Sequence, residues 1–346
     1  MALTSKALSV LYFGPVSGTC LDRANALRRL GHRVEHIDLR HLLPATPWVD
    51  RVTWRLGGHL LAPWLMPRLS SHLEGKLFDL CHVDGGEWVT PGVVGLLRKH
   101  VGKIVSYSID DPFGPRDGAR FKAFRRSLPL YDQNAVVREE NLNEAFALQA
   151  RDVIRVFRSA DELSHAPRPL TLDDRKAWNS DVLFLGTWFP ERGPFMVELL
   201  RQGVPLTLRG ANWHKAPEWS MLKAQWKGGA IAGDDYAKAI QCGKVNIGLL
   251  SKENRDLHTT RSLEIPALNS LLCAERTKEH LTMYVEGKEA LFWQDADECA
   301  AACKFALADE ARRQAIADAG HQRVKKNGHY NEMVLSSILA ASGLTK

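Results

Sequence analysis

Two groups of side chains in this sequence could do chemistry. One is acidic: Asp84 and Glu87 follow the apolar run FDLCHV, and Asp110 and Asp111 follow KIVSYSI. A carboxylate at the end of a strand, within hydrogen-bond reach of a hydroxyl, can act as a general base and ready that oxygen for attack. Turn chemistry accounts for the same residues, because Asp-Gly-Gly and Asp-Asp-Pro are ordinary turns and Asp often caps helices; both uses stay open. The other group lies in LHTTRSLEIPALNSLLCAERTKEHL, residues 257–281. Pro266 has no N–H and clashes with the carbonyl four residues back, so a helix is predicted to begin near Ser262. Thr260, Arg261, Ser262 and Glu264 would then gather where unpaired amides and the helix dipole favour an anion. Glu264 completes no capping box, since position 261 is arginine, and a plain surface Arg261–Glu264 pair would contribute little.

Two glycine-containing turns add to these groups. GPVSGTC places Ser17, Gly18 and Thr19 ahead of a helical run, where backbone amides can accept an anion or a sugar hydroxyl, or where the turn simply caps the helix. In LFLGTWFPERG, Gly186 and Thr187 allow close backbone approach. Arg192, at the start of the next helical run, can clamp a phosphate through two parallel hydrogen bonds or lie in solvent. Arg209, at the end of VPLTLRG, is a further candidate on the same side.

These residues need strands that deliver them to one edge, and the chain supplies them. ALSVLYFG, CLDRANALRRLGH and RVEHIDL read as strand, helix and strand, a βαβ unit of the doubly wound type. FDLCHVDGG and KIVSYSIDDPFG continue it, with shorter elements over 121–165. HAPRPLTLDDRKAWNS breaks the alternation, and the scheme then restarts with DVLFLG, RGPFMVELLRQG, VPLTLRG, a short strand AIAG, DDYAKAIQCG and KVNIGLLS. The expected division is a Rossmann-like domain over 1–165, a linker over 166–180, a second Rossmann-like domain over 181–325, and a C-terminal helix over 326–346 able to cross back to the first domain. Two such domains facing each other across a cleft would bind ligands at the carboxyl ends of their strands.

Composition sets the outer limits. The 346 residues are 45% hydrophobic and 25% charged, with a net charge of +6, which suits two globular domains and an anionic ligand or surface. The sequence has no basic run of the kind that would favour nucleic acid. Its six cysteines are scattered without a C-x-x-C. Cys299 and Cys303 would share a helix face, but no histidine pair completes a metal site, so reduced thiols in a cytoplasmic protein are expected. No apolar stretch is long enough to span a bilayer. PWVDRVTWRLGGHLLAPWLMPR, residues 47–68, has three tryptophans and three arginines, and reads either as a helix packed on its own domain or as an amphipathic surface touching lipid.

The segment TTRSLEIPALNSLLCAERTKEHLTMYVEGKEALFW resembles the C-terminal core of GT-B glycosyltransferases, especially the spore-maturation-protein (CgeB-like) group. Arg261, Leu263, Glu264, Ile265, Pro266, Ala267, Glu275, Glu279, His280, Leu281 and Glu286–Ala290 carry the match. FLGTWFPERG and RANALRRLGHRV resemble the family more weakly. The resemblance implies a GT-B fold and transfer from a UDP-, GDP- or dTDP-linked sugar to a glycan, a lipid-linked glycan, a protein or a small molecule. It places Glu264 on the nucleotide ribose, as the second glutamate of an E-x7-E pattern whose first position is Asp256 here. It also puts Arg192 in a lysine-like position on the diphosphate and Thr187 where arginine is common. With Asn269 and Ser270 replacing the usual glycines, these departures leave retention or inversion open.

The expected enzyme needs no metal or other cofactor: the chain has no D-x-D in a donor pocket, and arginine can offset charge on the departing diphosphate. Asp84, Glu87, Asp110 and Asp111 are base candidates for an inverting reaction. Gly186, Thr187, Arg192, Arg209, Thr260, Arg261, Ser262 and Glu264 form the donor side, and Ser17, Gly18 and Thr19 the acceptor side. Peripheral contact with the inner membrane face is a further expectation. The rival readings are a non-catalytic nucleotide- or sugar-binding assembly protein of the same fold and, ranked last, nucleic-acid binding.

Overall fold

The runs SVLYF and FDLCHVD are apolar on both faces, as in strands covered by helices on two sides. In the computed structural model, which describes residues 7–115 and 120–345, they form the centre of a parallel sheet. This sheet comprises β1 (Ser9–Phe13), β2 (Arg33–Ile37), β3 (Phe78–Asp84), β4 (Val101–Ser108), β5 (Gln133–Val136) and β6 (Val153–Arg155). Its order is β2-β1-β3-β4-β5-β6, so the direction of winding reverses between β1 and β3. Leu11, Cys81 and Ile104 on one face join one apolar cluster; Val10, Tyr12, Leu80 and Val105 on the other join a second.

A second parallel sheet follows, with β7 (Ser180–Leu185), β8 (Leu206–Arg209), β9 (Gly243–Gly248), β10 (Leu272–Glu275) and β11 (Leu291–Trp293) in the order β11-β10-β9-β7-β8. Its reversal lies between β7 and β9. Loops that follow strands at such a reversal diverge and leave a crevice at the carboxyl edge, which is where ligands bind in open α/β sheets.

The chain divides into two compact units. The first runs to Arg158 and includes Ser251–Asp256 and the chain from Asn331; the second comprises Ser159–Leu250 and Leu257–Tyr330. The terminal helix Asn331–Ala341 packs on helix Gly18–Arg29, where Arg29 pairs with Glu332. Residues 166–180, expected as a linker, carry helix Leu172–Trp178, begun by a capping box between Thr171 and Asp174. AIAG is not a strand: its Ala232 and Gly233 open helix Gly233–Cys242, which has Asp234 and Asp235 in its first turn. Four apolar-looking residues gave too little pattern to separate a strand from a helix entry.

Pro266 also corrects a boundary. The helix is Arg261–Ala267, with Pro266 inside it rather than in its first turn. The carbonyl that a residue at 266 would have bonded is that of Ser262, and the buried Tyr284 hydroxyl donates to it at 2.7 Å. An outside donor thus replaces the missing N–H. Among the described residues, no helix is long and apolar enough to cross a membrane.

Tyr284→Phe removes that donor and leaves a buried carbonyl unpaired. The expected loss of stability is about 1–3 kcal/mol, read from urea unfolding. An unchanged midpoint would mean that the Ser262 carbonyl finds another partner.

Candidate active site

In the first unit, the loops after β1, β2, β3 and β4 enclose a cavity of about 360 Å³. Glu87 and Asp110 stand in its wall with Arg120, Trp88 and Asp38. Gly85 and Gly86 carry φ of +94° and +87°, a left-handed pair that L side chains rarely adopt. A Cβ on Gly85 would lie 2.7 Å from the Glu87 carboxylate. This double glycine therefore turns the chain so that Glu87 faces the cavity.

Glu87 is paired with Arg120, and its side chain is 17% exposed. Burial pushes its carboxyl up, the Arg120 charge lowers it, and Asp110 raises it further; the net shift is upward. A carboxylate raised in this way is a stronger base than a solvated one. Asp110, half-exposed, stands 3.5 Å from Arg120.

The other two acids are structural in this geometry. Asp84 reaches the cavity edge, but its carboxylate is buried and accepts from Arg23 Nε at 2.7 Å and from the Tyr12 hydroxyl. Burial alone would raise its pKa; Arg23 and Tyr12 hold it below the ordinary range. Asp111 points away into a network. It accepts from Arg255 Nε at 2.6 Å, from Asn141 at 3.1 Å and from the Gly114 amide at 3.1 Å. Burial opposes its ionisation, and Arg255 leads the groups that keep it low. Asp111 accepts on both oxygens, and Asp84 is tied through Oδ2 to a buried arginine and tyrosine. Ser17, Gly18 and Thr19 open helix Gly18–Arg29, but Ser17 makes no side-chain cap, and the cavity wall takes Gly14, Pro15 and Cys20 from that loop instead.

In the second unit, a cavity of about 190 Å³ lies at the β7–β9 reversal. Gly186 and Thr187 after β7, Thr260, Arg261 and Arg192 all line it. The β7 and β8 ends approach so closely that a Cβ on Gly210, at φ +137°, would lie 2.0 Å from the Gly186 carbonyl. That contact fixes the loop carrying Gly186 and Thr187.

Arg192 is more committed than a phosphate clamp. Its guanidinium donates to the Thr187 carbonyl at 2.7 Å and the Leu250 carbonyl at 3.2 Å, and it lies over the rings of Phe184 and Phe189. It braces the two loops. Arg261 is the more available cation: its side chain is 31% exposed and pairs with Glu264 at 2.9 Å. Its guanidinium also lies 4.9 Å from the centre of the Tyr236 ring.

Ser262, Glu264 and Arg209 are not in the cavity wall. The Ser262 hydroxyl accepts from the Thr259 amide at 3.0 Å and meets His280 Nε2 at 2.7 Å. His280 Nδ1 faces the Glu275 carbonyl at 2.6 Å, so Nδ1 carries the proton and Nε2 accepts from Ser262. Both capacities of the hydroxyl are spent on this turn. The amides of Ser262, Leu263 and Glu264 are already bonded to Thr259 and Thr260 carbonyls, against the expectation that they wait for an anion. Glu264 is buried and takes bonds from Tyr236 and Arg261, with His165 at 3.5 Å. Burial would raise its pKa; Arg261, His165 and Tyr236 keep it low. Arg209 stacks over Trp178 at 4.5 Å. Asp256, at the other end of the eight-residue pattern, lies in the first unit and accepts from both Arg138 and Arg158.

Sequence reasoning missed Arg120, Tyr12 and Arg23. A signal existed for Arg23, which interrupts the buried side of a helix between Asp22 and Ala24 and so needed an internal counter-charge. Nothing local marked Arg120. Cys273 also escaped notice: its sulfur meets those of Cys299 and Cys303 within 4.8 Å in the core of the second unit, the one such group among the described residues.

Residues 192–340 match a family model described as glycosyl transferase-like. No curated protein sequence gives a significant match. Among solved structures, the chain is similar to a sucrose-phosphate synthase from Thermosynechococcus elongatus, with TM-score 0.70 and 14% identity over 97% of this chain and 98% of that one. It is also similar to an α,α-trehalose 6-phosphate synthase from Burkholderia multivorans, at 0.66 and 12% over 97% and 98%. Anabaena HepE in complex with UDP-glucose matches at 0.60 and 11% over 97% and 99%. At such identities the likeness is one of fold, and the fold is GT-B, built from two Rossmann-like domains. The family match, which spans residues 192–340, is likewise a similarity to glycosyl transferase-like proteins.

Arg23→Ala leaves the buried Asp84 charge without its partner. The expected cost is about 3–5 kcal/mol at neutral pH, measured by chemical unfolding. Asp84 has a depressed folded pKa, so its contribution is present above the unfolded value of 3.8 and is lost as pH falls below it. The gap between variant and wild type should therefore narrow in acid.

Proposed function

We propose that the chain is a metal-independent transferase that uses a UDP-sugar, holding the donor at the β7–β9 reversal and the acceptor in the first-unit cavity. The observation that carries this reading is the convergence of Arg261, Thr260, Gly186 and Thr187 on one cavity at the carboxyl edge of the second sheet. UDP is the first choice of nucleotide because the HepE structure of the same fold holds UDP-glucose; GDP and dTDP are the alternatives to test beside it. Arg261 supplies the positive charge that a departing diphosphate requires. Glu264 acts through Arg261 and Tyr236, keeping the guanidinium in place, and reaches the ribose only if those bonds rearrange. Arg192 shapes the loop. The motif from Arg261 to Ala290 supports the CgeB-like group as the nearest subfamily, and the unpaired thiols support a cytoplasmic location.

In an inverting transfer, Glu87 takes the proton from an acceptor hydroxyl as that oxygen attacks the anomeric carbon. The carbon–oxygen bond to the diphosphate breaks, and its electron pair leaves with the β-phosphate. Arg120 orients Glu87 and Asp110 sustains its basicity.

Arg261→Ala should weaken UDP binding by about tenfold or more, the value of one charge-assisted contact of about 1.5–3 kcal/mol. Calorimetry with UDP, GDP and dTDP in the presence of EDTA reads this directly. Undiminished affinity for each nucleotide would remove Arg261 from the donor site, and a need for divalent metal would overturn metal independence.

Glu87→Gln should leave UDP affinity intact and slow UDP release from UDP-glucose by about a hundredfold or more. The base works only when ionised, and its pKa is raised above the ordinary 4.5. Wild-type kcat/KM should therefore fall as pH drops through a value above 4.5, and the variant should lose that limb. A retained limb in the variant would assign the titration to another group.

A further inference from the structure

Residues 47–73 fold as helix Pro47–Leu56, a 3-10 turn Gly58–Leu61 and helix Ala62–Leu73, all in the first unit. Their inner side is sealed by Val49, Leu61, Leu65, Leu69 and Leu73, none more than 1% exposed. Their outer side is apolar as well. Trp48, Trp54 and Trp64 are 49%, 60% and 54% exposed, and Leu56 and Leu60 are 52% and 46% exposed. Single exposed apolar residues need no explanation, but a run of large ones marks a contact surface.

Charge indicates what the surface contacts. At the helical step of about 100° per residue, Arg51 and Arg55 fall between Trp54 and Trp48 on the outer side of the first helix. Arg68 follows Trp64 by one turn and donates to its carbonyl at 2.8 Å. Lys122 and Arg126, both exposed, stand close enough to His59 to lower its pKa, after burial. The acid in the first helix, Asp50, is paired with Arg40. Exposed tryptophans interleaved with arginines suit the headgroup region of an anionic bilayer, where the indole ring is partly wetted and the guanidinium meets phosphate. The same face adjoins the acceptor cavity. Arg120, in the cavity wall, lies 5.2 Å from the centre of the Trp54 ring. A Cβ on Gly58 would come within 2.6 Å of the Glu87 carbonyl.

We propose that the face formed by residues 47–68 docks on an anionic lipid bilayer and so presents the adjoining cavity to an acceptor carried by lipid. The lipid-borne acceptor rests on the reading of that cavity as the acceptor site; docking itself does not.

The test uses the full chain and vesicles of phosphatidylcholine, with or without phosphatidylglycerol, at low and high salt. Co-sedimentation should be strong with phosphatidylglycerol, weak without it, and reduced by salt. Trp48→Ser/Trp54→Ser/Trp64→Ser and Arg51→Glu/Arg55→Glu should each lower binding about tenfold or more, with melting temperature and UDP affinity unchanged. The first tests the apolar anchor and the second the charge. Absence of vesicle binding by the wild type, or binding by either variant as strong as that of the wild type, overturns the proposal. So does a concentration-dependent dimer that the tryptophan variant abolishes, since the face would then bind a second copy. Vesicle binding without UDP binding would support docking while defeating the donor reading.

Discussion

A strand can lie parallel to its neighbour only if the chain returns the full length of the sheet between them. Every connection in both units of this protein obeys that constraint, so every strand delivers its following loop to the same edge. The chemistry has nowhere else to assemble. The cavity in each unit sits at the place where winding reverses, β1 against β3 and β7 against β9. There the two emerging loops part company and leave room that regular packing would otherwise fill.

The loops are then held by buried charge. Tyr12, Arg23 and Asp84 tie β1, the following helix and β3 together beneath the first cavity. Arg138 and Arg158 share Asp256, and Arg255 bridges Asp111 and Glu144. Isolated, any of these charges would be costly in the interior; paired and hydrogen-bonded, they specify which loop lies against which. Glu87 differs from them. Its glycine-aimed carboxylate has one arginine and the cavity, and burial keeps its proton affinity high. The contrast between Asp84 and Glu87, three residues apart, is a contrast between an acid kept ionised by a buried arginine and one whose proton affinity burial raises.

Much of this was legible in the sequence. Apolar runs ending in Gly-, Asp- or Ser-rich turns marked most of the strands, and the motif from Arg261 to Ala290 pointed to the GT-B fold. Gly186, Thr187, Thr260 and Arg261, all named from the sequence, line one cavity of the second unit. The residues misjudged share a cause. Ser262, Glu264 and Asp111 carry the side chains of a binding site, but their partners, His280, Tyr236 and Arg255, lie between 18 and 144 positions away. Local sequence shows what a side chain can offer. It does not show whether a distant residue has already taken it. Pro266 shows the same limit: the rule that a proline ends a helix holds unless an outside donor such as Tyr284 intervenes.

The segment that carries the family resemblance has a further consequence. Its serine, histidine and proline serve one turn: Ser262 closes it, His280 orients Ser262, and Tyr284 answers the carbonyl that Pro266 leaves open. Within this stretch Thr259, Thr260 and Arg261, all at its start, line the cavity of the second unit. A signature composed mostly of joinery recognises a kind of building rather than what is made inside it. Proteins found through it will share this lobe, while the loops of the first unit, which the signature does not reach, are free to differ.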